Sequence, residues 1–305
     1  MTKGAAAGRR KGRQSPSPAR RFRGSVMVAA AALTIGVIAV VAILVMGRLQ
    51  PRSGQTAWAR LGTADVHSLA FVGNDTSNLL FGHHQGLLES HDGGRSWQAL
   101  PTQVDAMGMR PAGDGSIVIA GHLVFTASRD GGKTWQAIPA KLPNLDIHGF
   151  ARDPADPARM WAALATGGLW ESSNFGIDWT RVREDTVVFP VAVRAGSTTK
   201  LIAIDAAGLE ASDDGGRTWV PLPTPPTYPM TAFTATPDGV ILYAGSLDTL
   251  YRSDDAGQSW TATGYKGSAF ALATSADGRT VAVVSQETEF FRSSDGGRTW
   301  PGPGG

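Results

Sequence analysis

Histidine and aspartate are the residues of this sequence whose spacing most suggests chemistry. Two of the six histidines close the same kind of tripeptide, Asp65-Val66-His67 and Asp146-Ile147-His148. Imidazole and carboxylate groups are ligands of Zn²⁺ and Cu²⁺, and imidazole also serves as an acid or a base because it titrates near neutral pH. We therefore expect a metal, acid–base or ligand-binding site wherever the fold brings these side chains together.

An eight-residue phrase, Ser-x-Asp-x-Gly-x-Thr/Ser-Trp, indicates which elements position these residues. Its six copies begin at Ser90, Ser128, Ser172, Ser212, Ser253 and Ser293. The tryptophans that end them follow at steps of 38, 44, 40, 41 and 40 residues, and Trp58 precedes Trp97 by 39. The third copy is degenerate, with Asn174 for Asp and Asp178 for Thr/Ser. Repeats of this length, made of short strands, are typical of propellers.

Short β-type runs surround each copy of the phrase. In the first unit they cover residues 67–72, 79–82, 87–90 and 97–100. Four short strands per unit and six units predict an all-β, six-bladed propeller of four-stranded antiparallel blades. The run that begins at Trp58 is similar to the strand after each phrase, so we expect it to complete the last blade and close the ring.

The phrase itself is predicted to be a hairpin turn with a structural role. Its Asp can accept hydrogen bonds from the turn backbone, its glycines can take positive φ, and its Trp can bury a large apolar ring between adjacent sheets. The residues assigned to this role are Asp92, Asp130, Asn174, Asp214, Asp255, Asp295, Trp97, Trp135, Trp179, Trp219, Trp260 and Trp300.

The face opposite these turns is the predicted site. Alignment of the first strands places His67, Asp105 and His148 at equivalent positions in three consecutive blades. Counting back six residues from the phrase serine places His84 and His122 at equivalent turns of the first two blades. The predicted ligand-binding face is formed by His67, His84, Asp105, His122 and His148.

Three interpretations of that face follow from its residue types. His67, Asp105 and His148 would hold Zn²⁺ or Cu²⁺ in a metal site. Asp65, Asp105 and Asp146 would supply the paired carboxyl groups of a glycosidase. In the third interpretation, the same side chains are polar groups that close the rim of the propeller and bond to backbone or water.

The repeated phrase resembles the Asp-box, or BNR repeat, of sialidase-type propellers, sortilin-like receptors and the photosystem II assembly-factor family. In those families the box is structural and lies on the face opposite the binding site, which implies the same arrangement here. The stretches 65–69 and 84–87 also resemble, in part, the His-x-His-Gly-Leu and His-x-Gly-Leu motifs of bacterial membrane-anchored, glycosyl-hydrolase-like BNR proteins. A sialidase is disfavoured, because no Arg-Ile-Pro precedes the first blade and the arginines late in first strands fall toward the box side: Arg110, Arg152 and Arg194.

The N-terminal region differs from the rest of the chain. Residues 1–24 carry eight Lys or Arg and no acid, and residues 25–46 contain no charge. Twenty-two helical residues span about 33 Å, enough for the roughly 30 Å hydrocarbon core and longer than the apolar part of a cleavable signal peptide. We predict a disordered cytoplasmic tail, an uncleaved single-pass anchor, a linker over 47–57 and an extracytoplasmic propeller over 58–305.

Charge narrows the class of partner. Residues 53–305 carry 28 − 10 = 18 Lys and Arg against all 26 acids, a net charge of −8. An acidic domain excludes nucleic acid as its expected partner, whereas the basic tail suits anionic membrane lipid. The sequence contains no cysteine, so packing alone must stabilise the domain. The predicted function is a membrane-anchored module that binds or assembles a protein or glycan ligand, with a glycoside hydrolase or a metal-binding protein as alternatives.

Overall fold

The computed structural model describes Met1 and residues 55–227 and 229–304. The predicted tail after Met1, the predicted anchor (25–46) and most of the predicted linker lie outside these residues. Within the part of the chain that is described, no helix has both the length and the apolar character needed to cross a membrane.

Six antiparallel sheets of four strands form the domain, which confirms the predicted six-bladed, all-β propeller. Strand β1 (Ala59–Arg60) precedes the first complete blade. Blade one consists of β2 (Ser68–Phe71), β3 (Leu79–His83), β4 (Gly86–Ser90) and β5 (Gln98–Ala99). Blade two consists of β6 (Gly108–Pro111), β7 (Ile117–Gly121), β8 (Val124–Ser128) and β9 (Gln136–Ala137). Blade three consists of β10 (Ile147–Arg152), β11 (Met160–Leu164), β12 (Leu169–Ser172) and β13 (Thr180–Arg183). Blade four consists of β14 (Val188–Ala195), β15 (Thr198–Ile204), β16 (Leu209–Ser212) and β17 (Val220–Pro221). Blade five consists of β18 (Ala232–Ala235), β19 (Leu242–Gly245), β20 (Thr249–Ser253) and β21 (Thr261–Lys266). Blade six consists of β22 (Ala271–Thr274), β23 (Val281–Val284) and β24 (Glu289–Ser293) together with β1.

The ring closes where the two ends of the domain share one sheet. Ala59 and Arg60 of β1 pair with Phe290 and Glu289 of β24. The Arg60 guanidinium lies 2.6 Å from the Glu289 carboxylate, and the backbone N–H of Trp58 donates to the carbonyl of Phe290 at 2.8 Å. The predicted closure by the run after Trp58 is therefore confirmed.

Six apolar clusters, one at each junction between neighbouring blades, form the core. At the junction of blades six and one, the Trp97 ring lies 5.3 Å from the ring of buried Phe290. Each blade packs against a neighbouring blade on both of its faces. The second strand of a blade is therefore a continuous run of apolar residues and does not alternate between apolar and polar residues. All five residues of β11 are buried.

Each box forms a hydrogen-bonded turn directly after the third strand of its blade, and in the first five blades this turn leads into the fourth strand. In the second box, the Ser128 hydroxyl donates to Asp130 Oδ1 at 2.8 Å and accepts from the backbone N–H of Gly132 at 2.8 Å. The Thr134 hydroxyl donates to Asp130 Oδ2 at 2.5 Å. This bond and the Thr134 backbone N–H lower the pKa of Asp130 to about 2, so the turn is held by an ionised carboxylate.

The degenerate third box keeps these contacts, with the direction of one side-chain hydrogen bond reversed. The backbone N–H of Asp178 donates to Asn174 Oδ1 at 2.9 Å, as Thr134 does to Asp130 in the second box. The side-chain bond runs the other way, because Asn174 Nδ2 donates to Asp178 Oδ2 at 2.7 Å. The two departures from the phrase therefore compensate each other.

Candidate functional site

Seven side chains from three consecutive blades meet at the face opposite the boxes. They include all five residues of the predicted face and two further aspartates. We call them the His–Asp cluster: Asp65, His67, His84, Asp105, His122, Asp146 and His148.

Two equivalent turns bring imidazoles to this cluster. His84 is the first residue between β3 and β4, and His122 is the first residue between β7 and β8. Gly121, which precedes the second turn, allows the close approach of a neighbouring loop, since a Cβ there would lie 2.0 Å from the carbonyl oxygen of Asp105. Leu123 follows His122 with a φ of 58°, a conformation that non-glycine residues rarely adopt.

A β-bulge positions His148. The pairing of β10 with β11 shifts register between Ile147 and Gly149, which leaves His148 as the extra residue. A bulge turns a side chain out of the ladder, and His148 is the exposed residue of an otherwise buried strand. A backbone bridge between His122 and Asp146 then joins blades two and three beside it.

The first ligand set consists of Asp65, His67 and His84. His67 Nε2 lies 2.7 Å from His84 Nδ1. The two Asp65 oxygens lie 3.4 Å from His67 Nε2 and 3.0 Å from His84 Nδ1. Burial lowers the pKa of His67, although the negative charge of Asp65 acts in the opposite direction. The pKa of His67 therefore lies below its ordinary value because burial outweighs the nearby carboxylate.

The second ligand set consists of His122, Asp146 and His148 and joins blades two and three, whereas the first set lies within blade one. The two Nε2 atoms of His122 and His148 lie 2.9 Å apart. Asp146 Oδ1 lies 3.0 Å from His148 Nε2 and 3.4 Å from His122 Nε2. Both sets contain an Asp-x-His tripeptide, in which the carboxylate and the imidazole project from alternate residues of one extended segment.

Asp105 connects the two sets. Its Oδ2 atom accepts a 2.6 Å hydrogen bond from His122 Nδ1, and its Oδ1 atom lies 3.6 Å from His67 Nε2. Asp105 Oδ1 and Asp146 Oδ1 are buried and accept no hydrogen bond from the described residues. A buried polar atom without a partner costs free energy, so both oxygens require a positively charged or hydrogen-donating neighbour.

This arrangement can hold cations or share protons among imidazoles. The three ligand atoms of each set lie within 4.8 Å of one another. The predicted combination of His67, Asp105 and His148 does not form one such set, because His67 and His148 belong to different groups.

A glycosidase instead needs two carboxyl groups about 5–9.5 Å apart across a cleft, whereas Asp65, Asp105 and Asp146 each contact imidazole nitrogens.

The remaining histidines have other contacts. The His83 ring stacks on Phe81 with centroids 6.1 Å apart, and burial lowers its pKa. His91 lies within the first box, where Nδ1 is 2.9 Å from Asn78 Oδ1 and Nε2 is 3.3 Å from a Glu89 oxygen.

Two of the arginines that lie late in first strands donate hydrogen bonds within the propeller. Arg152 donates to the Ser116 hydroxyl at 2.7 Å. Arg110 donates to the carbonyl of Met109 at 2.9 Å, and burial lowers its pKa to about 10.

A closed ring of six four-stranded blades with this repeat defines a BNR-type propeller. Residues 54–209, just over half of the chain, match the family model described as photosynthesis system II assembly factor YCF48. The chain belongs to this family, and the whole His–Asp cluster lies within the matched residues.

Two solved structures illustrate the shared fold. YCF48 from Cyanidioschyzon merolae is 20% identical with a TM-score of 0.51, over 80% of this chain and 87% of that one. A GH74 xyloglucanase from Xanthomonas campestris is 18% identical with a TM-score of 0.54, over 81% of this chain and 46% of the xyloglucanase. At these identities the likeness concerns the fold alone. No curated protein matches the sequence.

Proposed function

We propose that this chain is a membrane-anchored, extracytoplasmic propeller that binds a segment of a partner protein on its His–Asp face and acts as an assembly module. Membership of a family described as an assembly factor supports a protein partner. The position of the cluster inside the matched residues supports this face as the place where the partner binds.

Leu123 is the observation that carries the choice of face. It is 86% exposed and lies next to His122 in the turn between β7 and β8. Its backbone N–H donates to the carbonyl of Leu145 at 2.8 Å, which anchors the turn to the loop before blade three. An exposed apolar side chain held in an unfavourable backbone conformation often marks a functional position, and here it lies beside imidazoles that can bond to a partner.

The sequence of residues 1–46 supports the anchor. A basic tail followed by 22 uncharged residues favours a single membrane span with its tail in the cytoplasm. The short linker over 47–57 would then keep the propeller near the membrane surface, where membrane-embedded partners expose their loops.

Photo-crosslinking at residue 123 tests the binding face. A photoreactive phenylalanine analogue at position 123 should give a discrete crosslinked adduct in cells that express the full chain. The matched control is position 220, because Val220 is also apolar and 66% exposed but lies on β17, the outer strand of blade four. Adducts of equal yield from both positions, or none from position 123, would contradict the proposal.

A further inference from the structure

We propose that the His–Asp cluster binds two divalent transition-metal ions, one in each ligand set, with Asp105 between them. This inference does not depend on the partner-binding proposal, because it rests on the cluster's own geometry.

The distances within each set match those between ligands of one ion. Ligands bound at about 2.0–2.1 Å lie about 2.9 Å apart in octahedral and about 3.3 Å apart in tetrahedral coordination. In the first set, His84 Nδ1 lies 2.7 Å from His67 Nε2 and 3.0 Å from Asp65 Oδ2, and the other Asp65 oxygen lies 3.4 Å from His67 Nε2. The three atoms of the second set are separated by 2.9, 3.0 and 3.4 Å. The second set therefore forms one face of a coordination polyhedron, and the imidazoles of the first set lie within ligand distance of each other and of the Asp65 carboxylate.

A metal ion can bond to all three ligand atoms of the second set, whereas hydrogen bonds among these atoms cannot pair all of them. Because Asp105 accepts from His122 Nδ1, the Nε2 atom of neutral His122 carries a lone pair. A proton on His148 Nε2 lies in the plane of its ring and points at His122 Nε2, so Asp146 Oδ1 is left without a donor. A metal ion accepts lone pairs from all three atoms at once.

The unpaired buried oxygens support the same conclusion. Asp146 Oδ1, which receives no hydrogen bond from the described residues, belongs to the second set. Asp105 Oδ1 is equally unpaired and lies 3.6 Å from His67 Nε2, at the edge of the first set. One metal ion beside each oxygen would give both oxygens a bonding partner.

Neighbouring hydrogen bonds orient the ligands as in known metal sites. The contact from Asp105 to His122 is a carboxylate–histidine pair that fixes the tautomer and raises the basicity of the metal-facing nitrogen. In the first set, the backbone N–H of His84 donates to Asp65 Oδ1 at 2.8 Å, which directs Oδ2 toward His84 Nδ1.

The donor atoms define the class of metal. Imidazole nitrogen with carboxylate oxygen favours Zn²⁺ and Cu²⁺, whereas Mg²⁺ and Ca²⁺ prefer oxygen ligands alone. Three carboxylates also offset most of the charge of two divalent ions.

Metal stoichiometry of the purified full chain tests the proposal. After chelation and dialysis against Zn²⁺ or Cu²⁺, the wild type should retain two equivalents by elemental analysis and none of Mg²⁺. His84→Ala removes a half-exposed ligand from the first set, and His148→Ala removes one from the second. Each variant should retain one equivalent, and the double variant none, with unchanged circular dichroism.

His91→Ala is the matched control, since His91 is similarly exposed but contacts Asn78 and Glu89 on the box side. It should retain two equivalents. A wild type that retains none would show that the cluster shares protons only and would overturn the proposal. Two equivalents in the double variant, or a loss in His91→Ala, would overturn it as well.

Discussion

Asp105 is the residue that contacts imidazoles of both ligand sets. Its side chain is 11% exposed and contacts imidazole nitrogens on two sides, His122 at 2.6 Å and His67 at 3.6 Å. A buried carboxylate in this position can orient one histidine and contribute an oxygen beside another.

We predict that Asp105→Asn weakens the binding of Zn²⁺ by about 10–100-fold, the effect usual for the loss of such an outer carboxylate. The amide keeps the size of the side chain but removes its negative charge. Competition against a chromophoric chelator measures the affinity. Asp213→Asn, which removes an exposed charge paired with Lys200, controls for the general acidity of the propeller. Equal affinities in the two variants would argue against a special role for Asp105.

The repeat predicts which blade and which turn carries each histidine, but not which side chains lie together. Equivalent places in neighbouring blades identify His67, His84, His122 and His148 because the repeat fixes the backbone. The partners of each imidazole depend on side-chain direction, which the repeat does not encode. His148, for example, belongs with His122 because the bulge at β10 turns it toward blade two.

At the scale of the strand and the turn, the glycine at the fifth position of each box lies against the neighbouring blade. Gly94 and Gly132 occupy equivalent positions with φ of +95° and +94°. A Cβ on Gly94 would lie 2.1 Å from the ring of buried Phe290, whereas one on Gly132 would have only ordinary contacts, the nearest at 3.7 Å.

We predict that Gly132→Ala destabilises the domain by about 1–2 kcal/mol, the strain of a left-handed alanine. Gly94→Ala should cost about 1–3 kcal/mol more, because the new methyl group displaces a packed ring. Thermal melting of the two variants measures the difference, which should appear as a midpoint several degrees lower for Gly94→Ala. Equal midpoints would mean that Phe290 is not fixed in the core.

Strands and turns were largely predictable because the box recurs and the second strands are continuously apolar. The predicted runs 79–82 and 87–90 differ from β3 and β4 by only one residue at an end. The bulge in β10 was not predictable, since it arises where blade three meets its neighbours. A Cβ on Gly149 would lie 2.7 Å from Pro190 of blade four.

At the scale of the whole molecule, the proposed topology is a basic cytoplasmic tail, a single membrane span and an acidic propeller outside the membrane. The absence of cysteine from the sequence makes this topology measurable, because a single introduced thiol reports its own location.

We predict that a membrane-impermeant maleimide labels Val220→Cys in intact cells, because in the proposed topology the propeller lies outside the cytoplasmic membrane. Ser15→Cys in the basic tail should react only after lysis. Labelling of Ser15→Cys in intact cells, with Val220→Cys protected, would reverse the proposed orientation.

Anomalous diffraction from crystals grown with Zn²⁺ tests the central claim, that the His–Asp cluster is a metal-binding functional face, most directly. The expected result is two peaks, one about 2.0–2.1 Å from the facing nitrogens of His67 and His84 and one at that distance from those of His122 and His148. Peaks confined to other surface residues such as His91, with the cluster free of metal, would contradict it.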